Sequence, residues 1–283
     1  MRRFLVISTC VALSLVARGQ SAPAHVQFNT AGAGAKQAEI EAAVQLICPA
    51  GKATHGKDGK VSGCAVCPRD TDFQGQPNTP WEMYAETPGH FTSAKDDNLL
   101  LDGTGCDSHA NNFGGTFVFG VAGEKARLLH YENGLITDQC QKFAYGDKRD
   151  GLVCHGGWSG QGLAEMTVFV TSFAASGKAS TKVLVHTTDT TAACGQDREQ
   201  VVKQGGISEV NFVSRSQGAA GEVSGLMIKA YTGDVKCSVV EAVQKTRRAP
   251  ASVKNYTIEF TFDEQQFRVA SGSRSLLAKF AVQ

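Results

Sequence analysis

From Phe91 to the carboxyl end, the chain breaks into short apolar and β-branched runs separated by Gly, Asp and Asn. Runs of about four to eight residues bounded by turn formers are strand signals, and so many in series leave little room for any fold but an antiparallel one. The expected strands are Leu99–Leu101, Thr116–Gly120, Ala126–Tyr131, Gln141–Tyr145, Gly151–Cys154 and Met166–Phe173. Lys182–His186, Glu209–Ser214, Leu226–Ala230, Tyr256–Phe262, Gln266–Val269 and Leu276–Val282 complete the set. Helical spacing occurs at Lys36–Ile47, where Ile40, Ala43, Val44 and Ile47 share one face before Cys48-Pro49 ends the run. Ser238–Thr246 competes as a second helix. Pro49–Gly63 is Gly/Lys-rich without periodicity and is expected to be a loop.

The amino end reads as a secretory leader. Arg2 and Arg3 precede an apolar run over Phe4–Ala17, and Ala22-Pro23-Ala24 offers a small-x-small cleavage pattern. That run is shorter than the roughly 20 residues a membrane span needs. Cleavage after residue 24 removes Arg2, Arg3, Arg18 and Cys10, leaving 25 basic against 27 acidic side chains and eight cysteines. So even a balance gives no field for nucleic acid, and no later apolar run is long enough for a transmembrane segment. Secretion or release into a periplasm is the expected location, and an even cysteine count there points to disulfides. Cys140 and Cys154 lie symmetrically about residue 147 in a hairpin turning at Gly146–Asp150, so they should face each other. Cys194 and Cys237 pair by elimination, leaving Cys48, Cys64, Cys67 and Cys106 as an amino-terminal set.

The strands fall into three similar groups. The first opens on Leu99-Leu100-Leu101 and continues through Thr116–Phe119 and Ala126–His130. The second opens on Gly151-Leu152-Val153-Cys154, the third, looser, on Gly225-Leu226-Met227-Ile228. Cys106 and Cys154 stand 48 residues apart, and Thr116 and Thr167 stand 51 apart. With Asp102-Gly103-Thr104-Gly105 and Asp150-Gly151-Leu152-Val153 as Gly/Asp turns beside apolar strands, the layout resembles FG-GAP/VCBS-type β-propeller blades over residues 90–270. The resemblance implies four-stranded antiparallel units. The family's Asp-x-Asp-x-Asp-Gly loop is missing, so no calcium site carries over, and three units are few for a closed ring. The expectation is therefore a mainly β chain of antiparallel hairpin repeats, forming a partial propeller-like or sandwich body with a short amino-terminal helix and disulfides. Its divisions would be a leader over 1–24, a helix and cysteine-containing loop segment over 25–90, and a β-rich repeat domain over 91–283.

No motif in the chain carries recognisable chemistry. The run Gly32-Ala33-Gly34 before the first helix lacks the last Gly of a dinucleotide cradle, and no cofactor is expected. Cys64-Ala65-Val66-Cys67 has the spacing of a redox pair, or of half a zinc site with Cys48 and His55, but no βαβ context surrounds it. Gly157-Trp158-Ser159-Gly160-Gln161 departs from a nucleophile elbow by placing Gln161 at the second Gly. Trp81, Tyr84, His90 and Phe91 read as a core strip. Binding residues are expected in two loops at one end of the repeats: Asp107, His109, Asn111 and Asn112 in the first, His155, Trp158 and Gln161 in the second. Together these offer amides, imidazole and a stacking indole. The sequence thus favours an exported, disulfide-stabilised, non-catalytic protein that binds a ligand or an extracellular or periplasmic partner. The alternative is an exported hydrolase, or a thiol oxidoreductase using Cys64 and Cys67.

Overall fold

The computed structural model describes residues 34–68, 71, 79–106, 114–214, 223–246 and 249–280. Residues 1–24, expected above to be a leader, lie outside them, as do Asp107, His109, Asn111 and Asn112. The described chain is mainly β, in three antiparallel sheets. It opens with helix α1 (Gln37–Ile47), whose Ile40, Ala43, Val44 and Ile47 are buried on one stripe. The first sheet follows in strand order: β1 (Ala53–His55), β2 (Val61–Cys64), β3 (Trp81–Gly89), β4 (Asn98–Gly105), β5 (Gly115–Ala122) and β6 (Lys125–Asn133). Next comes a four-stranded meander of β7 (Cys140–Ala144), β8 (Asp150–Gly160), β9 (Leu163–Phe173) and β10 (Ala179–Asp189). A second meander holds β11 (Val201–Ser214), β12 (Val223–Lys236), β13 (Lys254–Phe262) and β14 (Phe267–Val269). Helix α2 (Cys237–Thr246) leaves the end of β12, and the short α3 (Arg274–Leu277) follows β14.

Alternation along the strands stacks these layers. In β4, Leu99 and Leu101 pack with α1, Trp81, Phe117 and Phe119, while Leu100 turns the other way to meet Val118, Leu152 and Phe173. A strand covered on both faces must be apolar at consecutive positions, which is why three leucines stand in a row there. The second sheet repeats the arrangement. Its Leu152, Cys154 and Phe173 face the first sheet, while Phe143, Val153, Val168 and Val185 face Ile207, Leu226, Ile258 and Phe260 of the third. The far face of the third sheet is polar: Glu209, Lys229 and Thr257 form one row, with Glu259, Thr261 and Arg268 beside it. Lys229 Nζ sits 2.6 Å from Glu209 Oε2. That face has too little apolar surface to bury another sheet, so the stack ends there, as α1 ends it on the other side.

Hydrogen bonds between layers align the strands. Asp150 N–H donates to His90 O, and His90 N–H donates to Asp150 Oδ2. Gly146 N–H donates to Glu264 O in the turn after β13. The starts of β4, β8 and β12 therefore lie at one end of the stack, and their carboxyl ends lie at the other. Four bridges cross-link the chain: Cys48–Cys64, Cys67–Cys106, Cys140–Cys154 and Cys194–Cys237. Cys140 and Cys154 are direct cross-strand partners. His155 N–H donates to Gln139 O, the bond that flanks a non-hydrogen-bonded pair.

Several expectations need correction. The expected loop over Pro49–Gly63 contains β1 and the start of β2, and these pair into the same sheet as β4–β6 through β3. The segment 25–90 is thus more than a helix and a loop. Leu276–Val282 is not a strand over its described part, where Arg274–Leu277 is helical and Phe280 is buried against Tyr256. The edge of β13 such a strand would need is already taken, because Ala270 N–H donates to Glu259 O and Glu259 N–H donates to Ser273 Oγ. Trp81 and Phe91 are core residues, but Tyr84 is exposed and His90 is half-buried. Asp102–Gly105 lies within β4 rather than in a turn.

Candidate functional site

The β8–β9 hairpin ends in a two-residue turn, Gln161-Gly162, with φ of +51° and +85°. Positive φ at both central positions is the type I′ geometry that suits the right-handed twist of paired strands, and Gly accepts it at no steric cost. His155–Gly160 is therefore strand, not the loop the sequence suggested, and only Gln161 of the second set of site residues sits in the turn. The Gly162 backbone packs on Ala193, one residue before the Cys194–Cys237 bridge, so the hairpin tip rests on a cross-linked segment.

Register assigns the side chains to faces. Trp158 lies opposite Glu165, which lies opposite Thr188; one row along, Gly156, Thr167 and His186 align. These five side chains share the face turned toward the first sheet, but beyond Cys154 the first sheet no longer covers β8. The six-membered ring of Trp158 lies over Gly160, where a Cβ would come within 2.8 Å of it. The indole is thereby laid along the strand and stays 36% exposed. His186 is held from both sides: Nδ1 lies 3.2 Å from Thr167 Oγ1, Nε2 lies 3.4 Å from Thr188 Oγ1, and Glu165 Oε1 is 3.7 Å from Nε2. An indole platform thus adjoins an imidazole, a carboxylate and two hydroxyls, all on paired strands. His155 does not join them, because it pairs with Val168 on the face toward the third sheet.

Glu165, Thr167, His186 and Thr188 were not legible as site residues. They read as ordinary strand positions, and only the hairpin register, with Trp158 and Glu165 equidistant from the Gln161-Gly162 turn, could have paired the first of them with the indole.

A cleft of about 500 Å³ opens at the opposite end, lined by Tyr145, Asp147, Arg149, Ser172 and the turn Asp263–Gln265. Its charges are taken up locally: Arg149 Nε sits 2.6 Å from Asp147 Oδ2, and Arg268 Nε sits 2.8 Å from Asp263 Oδ2. With its ions paired and Gly146 bonded to Glu264 across it, the cleft is a joint between turns of the second and third sheets. Among the described residues no group of three His, Cys, Asp or Glu side chains is placed to hold a metal ion. Cys64 and Cys67 are bridged to Cys48 and Cys106 rather than to each other, so they do not form the dithiol pair a C-x-x-C redox site cycles. Ser159 lies in β8 before a hairpin turn, not at a strand-to-helix elbow. No helix among the described residues is long and apolar enough to cross a membrane. No protein family, curated protein or solved structure matches the chain.

Proposed function

We propose that this is an exported binding protein in which three equivalent four-stranded meanders, β3–β6, β7–β10 and β11–β14, stack as blade-like layers and present a ligand platform at Trp158. Four disulfides fit an oxidising space outside the cytoplasm, where cross-links persist. The observation that carries the reading is the indole laid over Gly160 beside the His186 network on a face the first sheet leaves open. A large exposed aromatic on rigid strands supplies stacking area at low entropic cost, while convergent polar groups fix orientation. The rows around it, from Cys154–Phe169–Val183 to Gly160–Leu163, hold no lysine or arginine. An anionic ligand would find no countercharge on them. A pyranoside fits better, with a C–H face for the indole and hydroxyls for Glu165, His186 and the threonines.

The chain has two tryptophans, and Trp81 is only 2% exposed, so changes in indole emission report Trp158. Titration with cellohexaose and chitohexaose is expected to shift that emission, and a sulfated glycan is expected to leave it unchanged. By titration calorimetry, Trp158→Ala should weaken saccharide binding at least about tenfold, equivalent to 1.4 kcal/mol, with the melting temperature nearly preserved. Emission unmoved by every neutral saccharide would reject the sugar platform. Unfolding of Trp158→Ala would assign the indole to capping the hairpin instead.

A further inference from the structure

Asp102 lies in β4 with no exposed surface, on the face toward the second sheet. It meets the connection that carries the chain from β6 to β7. Its Oδ2 accepts from Thr137 N at 2.7 Å and from Thr137 Oγ1 at 2.8 Å. Its Oδ1 stands 2.6 Å from Thr116 Oγ1, which in turn stands 2.7 Å from Leu135 O.

Those last two distances constrain the protons. The Thr116 hydroxyl has a single hydrogen, and a backbone carbonyl and a carboxylate have none. With Asp102 ionised, Thr116 can close only one of the two contacts, and the other sets lone pair against lone pair at hydrogen-bond distance in a buried site. Both close if Oδ1 carries a proton: Asp102 then donates to Thr116, and Thr116 donates to Leu135 O. The other oxygen keeps its two Thr137 donors, and Thr87 Oγ1, 3.3 Å from Thr137 Oγ1, completes the chain. We propose that in mild acid Asp102 is a neutral carboxylic acid in the folded protein, and that its proton latches the connection between the first and second sheets.

The surroundings favour that state. Glu82 and Tyr84 from β3, His130 and Glu132 from β6, and Asp138 from the connection itself are the titratable groups on this side. His130 Nε2 and Glu132 Oε2 pair with each other at 3.3 Å. The second sheet brings Cys140, Cys154 and Leu152 to the contact, and its cation on that face, Lys142, donates to Pro88 O. No described cation is left to hold a carboxylate. Burial pushes the Asp102 pKa up to about 6, hydrogen bonds from Thr116 and Thr137 pull the other way, and Asp138 adds repulsion.

An acid whose folded pKa exceeds its unfolded value stabilises the fold in its protonated form. The latch is complete in mild acid and is lost as the pH rises from about 4 through about 6. The test is a pH titration of the full chain with carboxyl-labelled aspartate, followed by carbon NMR. One aspartate carboxyl, assigned by connectivity to residue 102 and missing in Asp102→Asn, should titrate near pH 6 rather than 3.8. In Asp102→Asn the amide nitrogen can donate to Thr116 and the oxygen can accept from Thr137, as the neutral acid does. That variant's urea midpoint should stay level over the range in which the wild-type midpoint falls. An Asp102 carboxyl titrating at or below the ordinary value would overturn the proposal, and the NMR result decides it even if the variant does not fold.

Discussion

Reduction of all four disulfides is expected to unfold the chain at 25 °C without denaturant. The bridges span 14, 16, 39 and 43 residues. In the chain-entropy model the two shorter loops contribute about 3 kcal/mol each and the two longer about 4. Together they match or exceed the roughly 5–15 kcal/mol by which whole domains are stable. Their positions strengthen the expectation. Cys48–Cys64 ties the end of α1 to β2, Cys140–Cys154 pins the edge strand β7, and Cys194–Cys237 holds the segment under the hairpin tip. Far-ultraviolet circular dichroism before and after a phosphine reductant is the measurement. A β spectrum that survives full reduction would show that the three interfaces suffice by themselves. Cys154→Ser alone should cost about 3 kcal/mol in urea unfolding.

Phe143→Ala should be the most damaging single substitution, at about 3–5 kcal/mol. Phe143 projects from β7 into the joint between the second and third sheets and is 4% exposed. Its ring lies 4.8 Å from Tyr145, 5.2 Å from Phe267 and 5.3 Å from Phe262, centroid to centroid. Aromatic clusters of this kind combine large buried area with edge-to-face contacts, and truncating the central ring leaves a cavity the rigid strands cannot close. Urea unfolding compared with Phe143→Leu separates cavity from area: the leucine variant should lose distinctly less. A loss under about 1 kcal/mol for the alanine variant would mean that the second and third sheets pack without needing this ring.

The site was only partly legible because its members come from three strands. Trp158 stood out as an indole in a Gly-rich stretch, but glycine composition made that stretch look like a loop. In the structure, Gly156 and Gly157 pair with Thr167 and Met166 in an unbroken ladder. Asp102 misled in the opposite sense. An Asp-Gly pair ordinarily marks a turn, yet here both faces of the strand are covered and the carboxyl finds its partners in Thr116 and Thr137.

What the chain determines locally, it announces locally. The spacing of Ile40, Ala43, Val44 and Ile47 makes α1 whatever it packs against, and the symmetry of Cys140 and Cys154 about their turn places those cysteines opposite each other. Short alternating runs between turn formers make a mainly β protein. Only the tertiary structure decides which face of each strand is covered, that β1–β3 complete the first sheet, and that Glu165 and His186 stand beside Trp158. Those facts depend on register and layer stacking between residues far apart in sequence, and no local propensity encodes a distant partner.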